Sequence, residues 1–497
     1  MRLPLEAKES ECLKLIYSDK LSCEESLELV VPDTCADAEK ILDIRGQALL
    51  VSKAALSDGV LVTACVEADV IFLSEENEPA CISSKLNFEF SAIAKGIEES
   101  SQLVVSLEIC RLEARLLNPR KILIRAELTA EIKAYKEDVF TLWNELPEAG
   151  ENGVYLLSKE AEHSLVAGIG EKNFTISDEY ELPEDCHEAR IISCVTELHS
   201  EDVKVVGNKL VFKAKTETHA LLSGEGGNIV SAVFETPFSQ IIETENARDD
   251  AAASISLSLL SADFVALPDR DGGVIAANFK LSANAVCTVS KRTSFIADSY
   301  SNKYPLVPEY VRVPAVFCQP SQHRRVLLEG ELDSGQVEFS YLRCHGITIG
   351  SDGGRLGITA RLGGIGKDEK GNLIPISLSL RGTEDLQLDS NCEAVLGMAH
   401  STSLNIRDSG NVSLEACFDV TICRNFEFEA ICAIEADELS PTVSEGRPSL
   451  TVLCADRGES LWDIAKRHGS TIEAIESANS IGDDFDAKRR PLIVPKV

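Results

Sequence analysis

Ser460-Leu-Trp-Asp-Ile-Ala-Lys-Arg-His468, closed by Gly469 and followed at once by Ser470-Thr-Ile-Glu473, is the stretch from which the rest of the chain can be placed. Leu461, Ile464, Ala465 and His468 recur at helical spacing, so the spacing predicts one buried face. Ser460 stands at the N-cap position with Asp463 three residues on, and Gly469 supplies the C-terminal stop. Ser470 to Glu473 has the full capping-box pattern, which predicts a second helix carrying Ile472, Ile475 and Ala478 inward. Upstream, Leu450-Thr-Val-Leu-Cys-Ala-Asp456 reads as a strand. Downstream, Leu492-Ile-Val494, fenced by Pro491 and Pro495, reads as its closing partner. The order strand, helix, helix, strand predicts a very small α+β (βααβ) domain over residues 449–497.

Gly458-Glu459-Ser460-Leu461-Trp462-Asp463-Ile464-Ala465-Lys466-Arg467, then Asn479, then Ile493-Val494-Pro495, resemble the LysM module. The resemblance covers about a tenth of the chain. It implies binding of N-acetylglucosamine polymers, peptidoglycan or chitin-like glycan, through the loop after the first strand and the loop after the second helix. The contact residues it implies are Gly458, Glu459, Ser460, Leu461 and Trp462 on one side. Asn479, Ser480, Ile481 and the basic run Lys488-Arg489-Arg490 stand on the other. Arg489 occupies the place of a Gly-Gln turn in the family, and Glu459 and Ser460 replace Asp and Thr. Trp462 reads either as a partner-facing aromatic, a usual hot-spot type, or as plain domain core. Ser460 reads as a loop contact or as a helix cap.

The 497 residues allow two to four domains, and a hydrophobic content of 44% is ample for packed cores. The formal charge of −33 comes from 81 acidic against 48 basic residues. Residues 447–497 hold eight of each sign, so the excess lies in the preceding part of the chain. Such acidity argues against nucleic acid and anionic membranes as partners, because basic patches supply affinity for both. Met1-Arg-Leu-Pro-Leu-Glu-Ala-Lys-Glu-Ser10 has no apolar core of a signal peptide, and no run approaches the length of a membrane span. The 16 cysteines contain no Cys-x-x-Cys pair, and the expectation is reduced thiols in a cytoplasmic protein.

From Val31 to Glu438 the pattern is β. Val60 to Leu73 follows Asp58-Gly59, Lys209 to Leu222 follows Gly207-Asn208, and Arg355 to Ile365 follows Asp352-Gly-Gly354. The runs expected before these hairpins are Ile41 to Ser52, Arg190 to Val205 and Arg325 to Ser340. Later strands recur as well: Leu103 to Cys110, Ala253 to Leu260 and Asn391 to Leu396. They are followed by Lys121 to Leu128, Gly273 to Leu281 and Asn411 to Val420. The parse is mainly β: an N-terminal segment (1–30) and three tandem β-sandwich-like modules over 31–150, 151–305 and 306–438. A linker (439–448) then leads to the βααβ domain. Leu146 to Gly153 and Ser299 to Val313 read as linkers between modules.

Val31-Pro-Asp33 ahead of Ala38-Glu-Lys-Ile-Leu42, the hairpin from Asp58 to Leu73, and Leu117-Asn-Pro-Arg-Lys-Ile-Leu-Ile-Arg-Ala126 look like a SPOCS module, a family built in tandem copies. Such copies followed by one LysM module are the arrangement of SipL-type spore-morphogenesis proteins. That resemblance implies an adaptor in the mother-cell cytosol, at the forespore surface, whose LysM module contacts a coat-assembly ATPase instead of a sugar.

No chemistry stands out. The eight histidines form no metal-ligand spacing, and Cys344-His345 reads as a structural thiol beside a surface imidazole. Gly363-Gly-Ile-Gly-Lys-Asp368 lacks the Walker residues and reads as a turn. There is no Gly-x-Ser-x-Gly elbow and no carboxylate pair that can be singled out. The expectation is a protein that is not an enzyme and needs no cofactor: an adaptor, or alternatively a cell-wall glycan binder.

Overall fold

The structure, a computed structural model, describes all residues except 151, 184–189, 224–228, 245, 268–272, 333–337, 353, 398, 408–409, 438–448, 456–458 and 481–490. It is built mostly from β-strands, with a small α+β unit at the C-terminal end. One order of elements recurs three times. First come β1 (Arg2–Leu3) and the long β2 (Glu6–Val30). A meander of β3 (Ala38–Leu56), β4 (Gly59–Ser74) and β5 (Pro79–Ile93) follows, then a hairpin of β6 (Gln102–Asn118) and β7 (Lys121–Glu145). The second set runs β8 (Val154–Glu181), β9 (Arg190–Val206), β10 (Lys209–Ser223), β11 (Ile229–Glu243), β12 (Ala252–Leu267) and β13 (Val274–Ser301). In the third set Pro320 falls where the opening strand is interrupted, giving β14 (Leu306–Cys318) and β15 (Gln322–Glu331). It continues with the meander β16 (Glu338–Asp352), β17 (Arg355–Lys367) and β18 (Leu373–Asp385), then β19 (Cys392–Leu396), β20 (His400–Ile406) and β21 (Asn411–Ala436).

The turns that start the middle meander strands are those the sequence marks. Asp58, Gly207 and Gly354 sit there at φ 56°, 60° and 90°, which favours glycine and tolerates aspartate. Each opening strand pairs antiparallel with the last long strand of its own set: β2 with β7, β8 with β13, and β14 and β15 with β21. β2 is therefore the counterpart of β8 and β14. Residues 6–30 belong with the first set and do not stand apart as an N-terminal segment. Ser299 to Val313 is likewise mostly strand, ending β13 and opening β14. Arg325 to Ser340 spans parts of two strands, and the third counterpart of β3 and β9 is β16.

Period-two alternation builds the core. In the first set Val60, Val62, Ala64, Val66, Ala68, Val70 and Phe72 of β4 join Ile122, Ile124, Ala126, Leu128, Ala130, Ile132 and Ala134 of β7 in one buried cluster. Leu356, Ile358, Ala360 and Leu362 meet Val412, Leu414, Ala416, Phe418 and Val420 in the third. In the second, Leu210, Phe212, Ala220 and Leu222 of β10 pack with Phe279, Leu281 and Cys287 of β13 across two adjoining clusters. Full burial of each larger side chain is worth about 1.5–3 kcal/mol, so these faces carry the stability of the body.

The three meanders also meet each other. Leu42, Ile71 and Leu73 cluster with Leu221, Ile229, Tyr341 and Ile365. Beside them lies a polar junction. Arg45 is 2% exposed; its guanidinium donates to the His219 carbonyl at 2.7 Å and the Ser193 carbonyl at 3.3 Å, and it lies over the Tyr341 ring at 5.8 Å. Asp43 accepts from the Tyr341 hydroxyl and lies 3.6 Å from His345 Nε2. His345 is thus half-buried at this junction and not a surface imidazole. Arg343 reaches Glu197 at 2.7 Å, and His219 Nε2 lies 3.0 Å from Glu217, whose carboxyl that hydrogen bond draws down to about 2.

Gly363 and Gly364 lie inside β17 and not in a turn. A Cβ on Gly363 would strike the His345 ring, and one on Gly364 the Tyr341 carbonyl. Close approach of neighbouring side chain and backbone, not turn geometry, accounts for this glycine-rich run.

Candidate functional site

The C-terminal unit pairs β22 (Leu450–Cys454) antiparallel with β23 (Pro491–Pro495), with Val452 opposite Ile493, and packs two helices on them. Helix α1 (Leu461–His468) begins at Ser460 with a closed capping box. Ser460 Oγ accepts the Asp463 N–H at 3.2 Å, and the Asp463 carboxylate accepts the Ser460 N–H at 3.2 Å. The Ser460 hydroxyl and N–H hold the Asp463 carboxyl below its ordinary range. Gly469 stops the helix at φ 63°. Helix α2 (Ile472–Asn479) is capped by Thr471, whose Oγ1 accepts the Ala474 N–H at 3.0 Å. The Ser470–Glu473 box does not form, since Ser470 is fully buried and its carbonyl accepts the Tyr300 hydroxyl at 2.7 Å. Ala478 faces outward, while Ile475 is in the core.

Trp462, Ile464, Ala465, Ile475, Leu492 and Val494 form the buried core of this unit, and Tyr300 of β13 belongs to the same cluster. Besides the Tyr300 hydroxyl on the Ser470 carbonyl, a carboxylate seats the unit on the second set of strands. Asp298 accepts the Trp462 indole N–H at 2.8 Å and the Lys466 ammonium at 2.7 and 2.8 Å. The Tyr300 ring meets Trp462 edge-on at 4.9 Å and stacks on Tyr155 at 5.0 Å. Burial pushes the Asp298 carboxyl up, but Lys466, Trp462 and the Ser299 N–H more than reverse this and hold it low.

The sequence-derived contact residues divide accordingly. Gly458, Ile481, Lys488, Arg489 and Arg490 lie outside the described residues. Glu459 pairs with Arg467 at 2.7 Å, and Leu461 is half-buried in the small core. Ser460 and Ser480 are exposed, the first capping α1 and the second ending α2 at φ 51°. Trp462 is 7% exposed and faces the β-strands of its own chain. Asn479 pins α2 to β23: its amide donates to the Ile475 and Ile493 carbonyls at 2.7 and 2.6 Å and accepts the Ile493 N–H at 2.7 Å. Replacing Asn479 with Ala leaves the Ile493 carbonyl and N–H without their side-chain partner, so the unit is expected to lose about 1–3 kcal/mol. Faster amide exchange at Ile493, with exchange in β7 unchanged, is the measurement that checks this.

Sequence reasoning missed the seat itself: Asp298, Tyr300, Tyr155 and Lys466. Asp298-Ser-Tyr300 bordered a stretch rich in prolines and tyrosines that reads as a connector. A carboxylate matched to an indole N–H in another part of the chain leaves no local signature.

Among the described residues no group of three or more His, Cys, Asp or Glu could hold a metal ion, and no helix is long and apolar enough to cross a membrane. No curated protein matches this chain. The family model for the LysM domain matches residues 456–485, the stretch that holds α1 and α2, so the chain carries a C-terminal LysM domain.

Proposed function

We propose that this protein is a non-enzymatic binding protein in which a large β body carries the LysM domain as its recognition end. Its ligand is then N-acetylglucosamine-containing glycan of the peptidoglycan type. The observation that carries this reading is the LysM match at residues 456–485 on a βααβ unit. The face of α1 used for seating is that of Trp462 and Lys466. Ser460 and Ser480, which border the two loops that contact glycan in the family, stay exposed. Co-sedimentation of the intact chain with purified peptidoglycan tests it. Retention that chitin oligomers compete away supports the reading, and passage into the supernatant at every concentration contradicts it.

A second reading is favoured by the threefold recurrence of long strand, meander and hairpin. In it the β body is three tandem β-sandwich-like modules of the SPOCS type, the first opening with β2. The LysM domain then docks a coat-assembly ATPase at the forespore surface in the mother-cell cytosol. The acidic body, at a formal chain charge of −33, suits a basic protein partner better than nucleic acid or an anionic membrane. Saturable binding to the purified ATPase without retention on peptidoglycan distinguishes this reading from the first.

A further inference from the structure

Two thiols face each other across the third set of strands. Cys318 ends β14, and the antiparallel register places it directly opposite Cys423 of β21. Hydrogen-bond directions define the kind of pair. The Ile422 carbonyl accepts the Gln319 N–H at 2.9 Å, on the β14 side. Asn425 donates to the Asn391 carbonyl at 3.2 Å, and the Asp419 carbonyl accepts from Gly397 at 2.8 Å, both on the opposite side. Backbone groups of odd-numbered residues in this part of β21 therefore turn away from β14. Cys318 and Cys423 form a non-hydrogen-bonded pair. The Cys318 amide agrees, since it turns to Ser164 Oγ of β8 at 3.0 Å. Side chains are closest in such pairs, with α-carbons about 4.5 Å apart, inside the span of roughly 4.4–6.8 Å that a disulfide bridges. Among the described residues no other two cysteines oppose each other in a strand register.

The two thiols are unequal. Cys318 is half-buried and Cys423 is buried. The hydrogen bond from Cys423 holds the Cys318 thiol below its ordinary value and pushes Cys423 above its own. The first set of strands adjoins this sheet, since Leu142 of β7 shares a buried cluster with Val313 of β14 and Ala430 of β21.

We propose that Cys318 and Cys423 are a reversible redox site, closing to a cross-strand disulfide when the protein meets a low-molecular-weight disulfide. The Cys318 thiolate attacks one sulfur of that disulfide and releases one small thiolate. Cys423 then loses its proton and attacks the Cys318 sulfur of the mixed disulfide, releasing the second. Two protein thiols are oxidised and one small disulfide is reduced to two thiols. The bond would close a loop holding β15 to β20, and so tie the third meander to β21 where the opening strand is interrupted.

The test uses the intact, fully reduced chain, exposed to oxidised glutathione, quenched with N-ethylmaleimide and digested without reductant. The expected result is a linked peptide pair joining Cys318 to Cys423, lower in mass by two hydrogens than the two thiol peptides. It should appear equally in Cys392→Ser and revert with dithiothreitol. Cys318 carrying glutathione beside a maleimide-labelled Cys423, maleimide on both, or a Cys392–Cys423 link overturns the proposal. A urea midpoint that rises on oxidation in the wild type but not in Cys318→Ser is the second expected readout, and equal midpoints count against it.

Discussion

Replacing Arg45 with Ala is expected to destabilise the β body by about 3–5 kcal/mol, the range for removing one partner of a buried charge arrangement. The side chain is among the largest fully buried ones, and it spans two sets of strands by donating to the Ser193 and His219 carbonyls. Its loss removes the second donor from each of those strand carbonyls, opens a void against Tyr341 and takes away a cation near Asp43. Arg45→Met keeps much of the volume and is expected to cost less, which separates the packing loss from the charge loss. The two can also be separated by pH. Burial pushes the Asp43 carboxyl up, but His345, the Tyr341 hydroxyl and Arg45 together hold it below the usual range. A carboxyl lowered on folding contributes stability that is present above the unfolded value, and loses it as pH falls through the folded value. Without Arg45 the folded value rises, so the acid loss is expected to begin at higher pH. Urea midpoints measured from neutral to acid pH check both expectations. A variant matching the wild type across that range means the junction contributes nothing.

The second large effect concerns the LysM seat. Trp462→Ala is expected to remove about 3–5 kcal/mol from the LysM domain, as for other buried tryptophans. A unit this small holds only a few kcal/mol in total. The expected outcome is an unfolded C-terminal unit on an intact β body. Proteolysis would then trim the chain near residue 450 and leave the body resistant. Asp298→Ala leaves the small core in place but strips Trp462 and Lys466 of their shared acceptor, at about 1–3 kcal/mol. Here the domain stays folded and loosens from β13. In a Trp143→Phe background, emission from Trp462 is expected to shift to the red without loss of helical signal. An unshifted spectrum contradicts the seat. The same logic makes seating acid-sensitive: the Asp298 carboxyl is held low, so its contribution is lost as pH falls through that lowered value.

Much of the β body could be read in advance because its signals are local. Asp58-Gly59, Gly207-Asn208 and Asp352-Gly-Gly354 mark the turns, and strict alternation over Val60 to Phe72 or Leu356 to Leu362 marks strands with one face in the core. The opening strands were harder. β2 is exposed along most of its length and its glutamates interrupt the apolar period, so residues 1–30 read as a separate N-terminal segment. What places it is pairing with β7 more than a hundred positions away. Nothing local to Arg45 marks it as buried, and only the meeting of three meanders makes it a buried tie. In the LysM domain the capping box at Ser460 was legible and real, whereas the equivalent pattern at Ser470 was overridden by docking against Tyr300. For Trp462 the choice between core and partner contact could not be made from spacing. The structure buries it against its own chain, while Ser460 and Ser480 stay exposed among the candidate contact residues.

The LysM domain, seated on the β body, is the proposed ligand-recognition end of this protein. The most direct test is amide hydrogen exchange on the intact chain, titrated with soluble N-acetylglucosamine oligomers. New protection is expected, confined to peptides covering residues 455–461 and 479–492, with the three meanders unchanged. Saturable protection in the meanders, or none anywhere at millimolar oligomer, contradicts it.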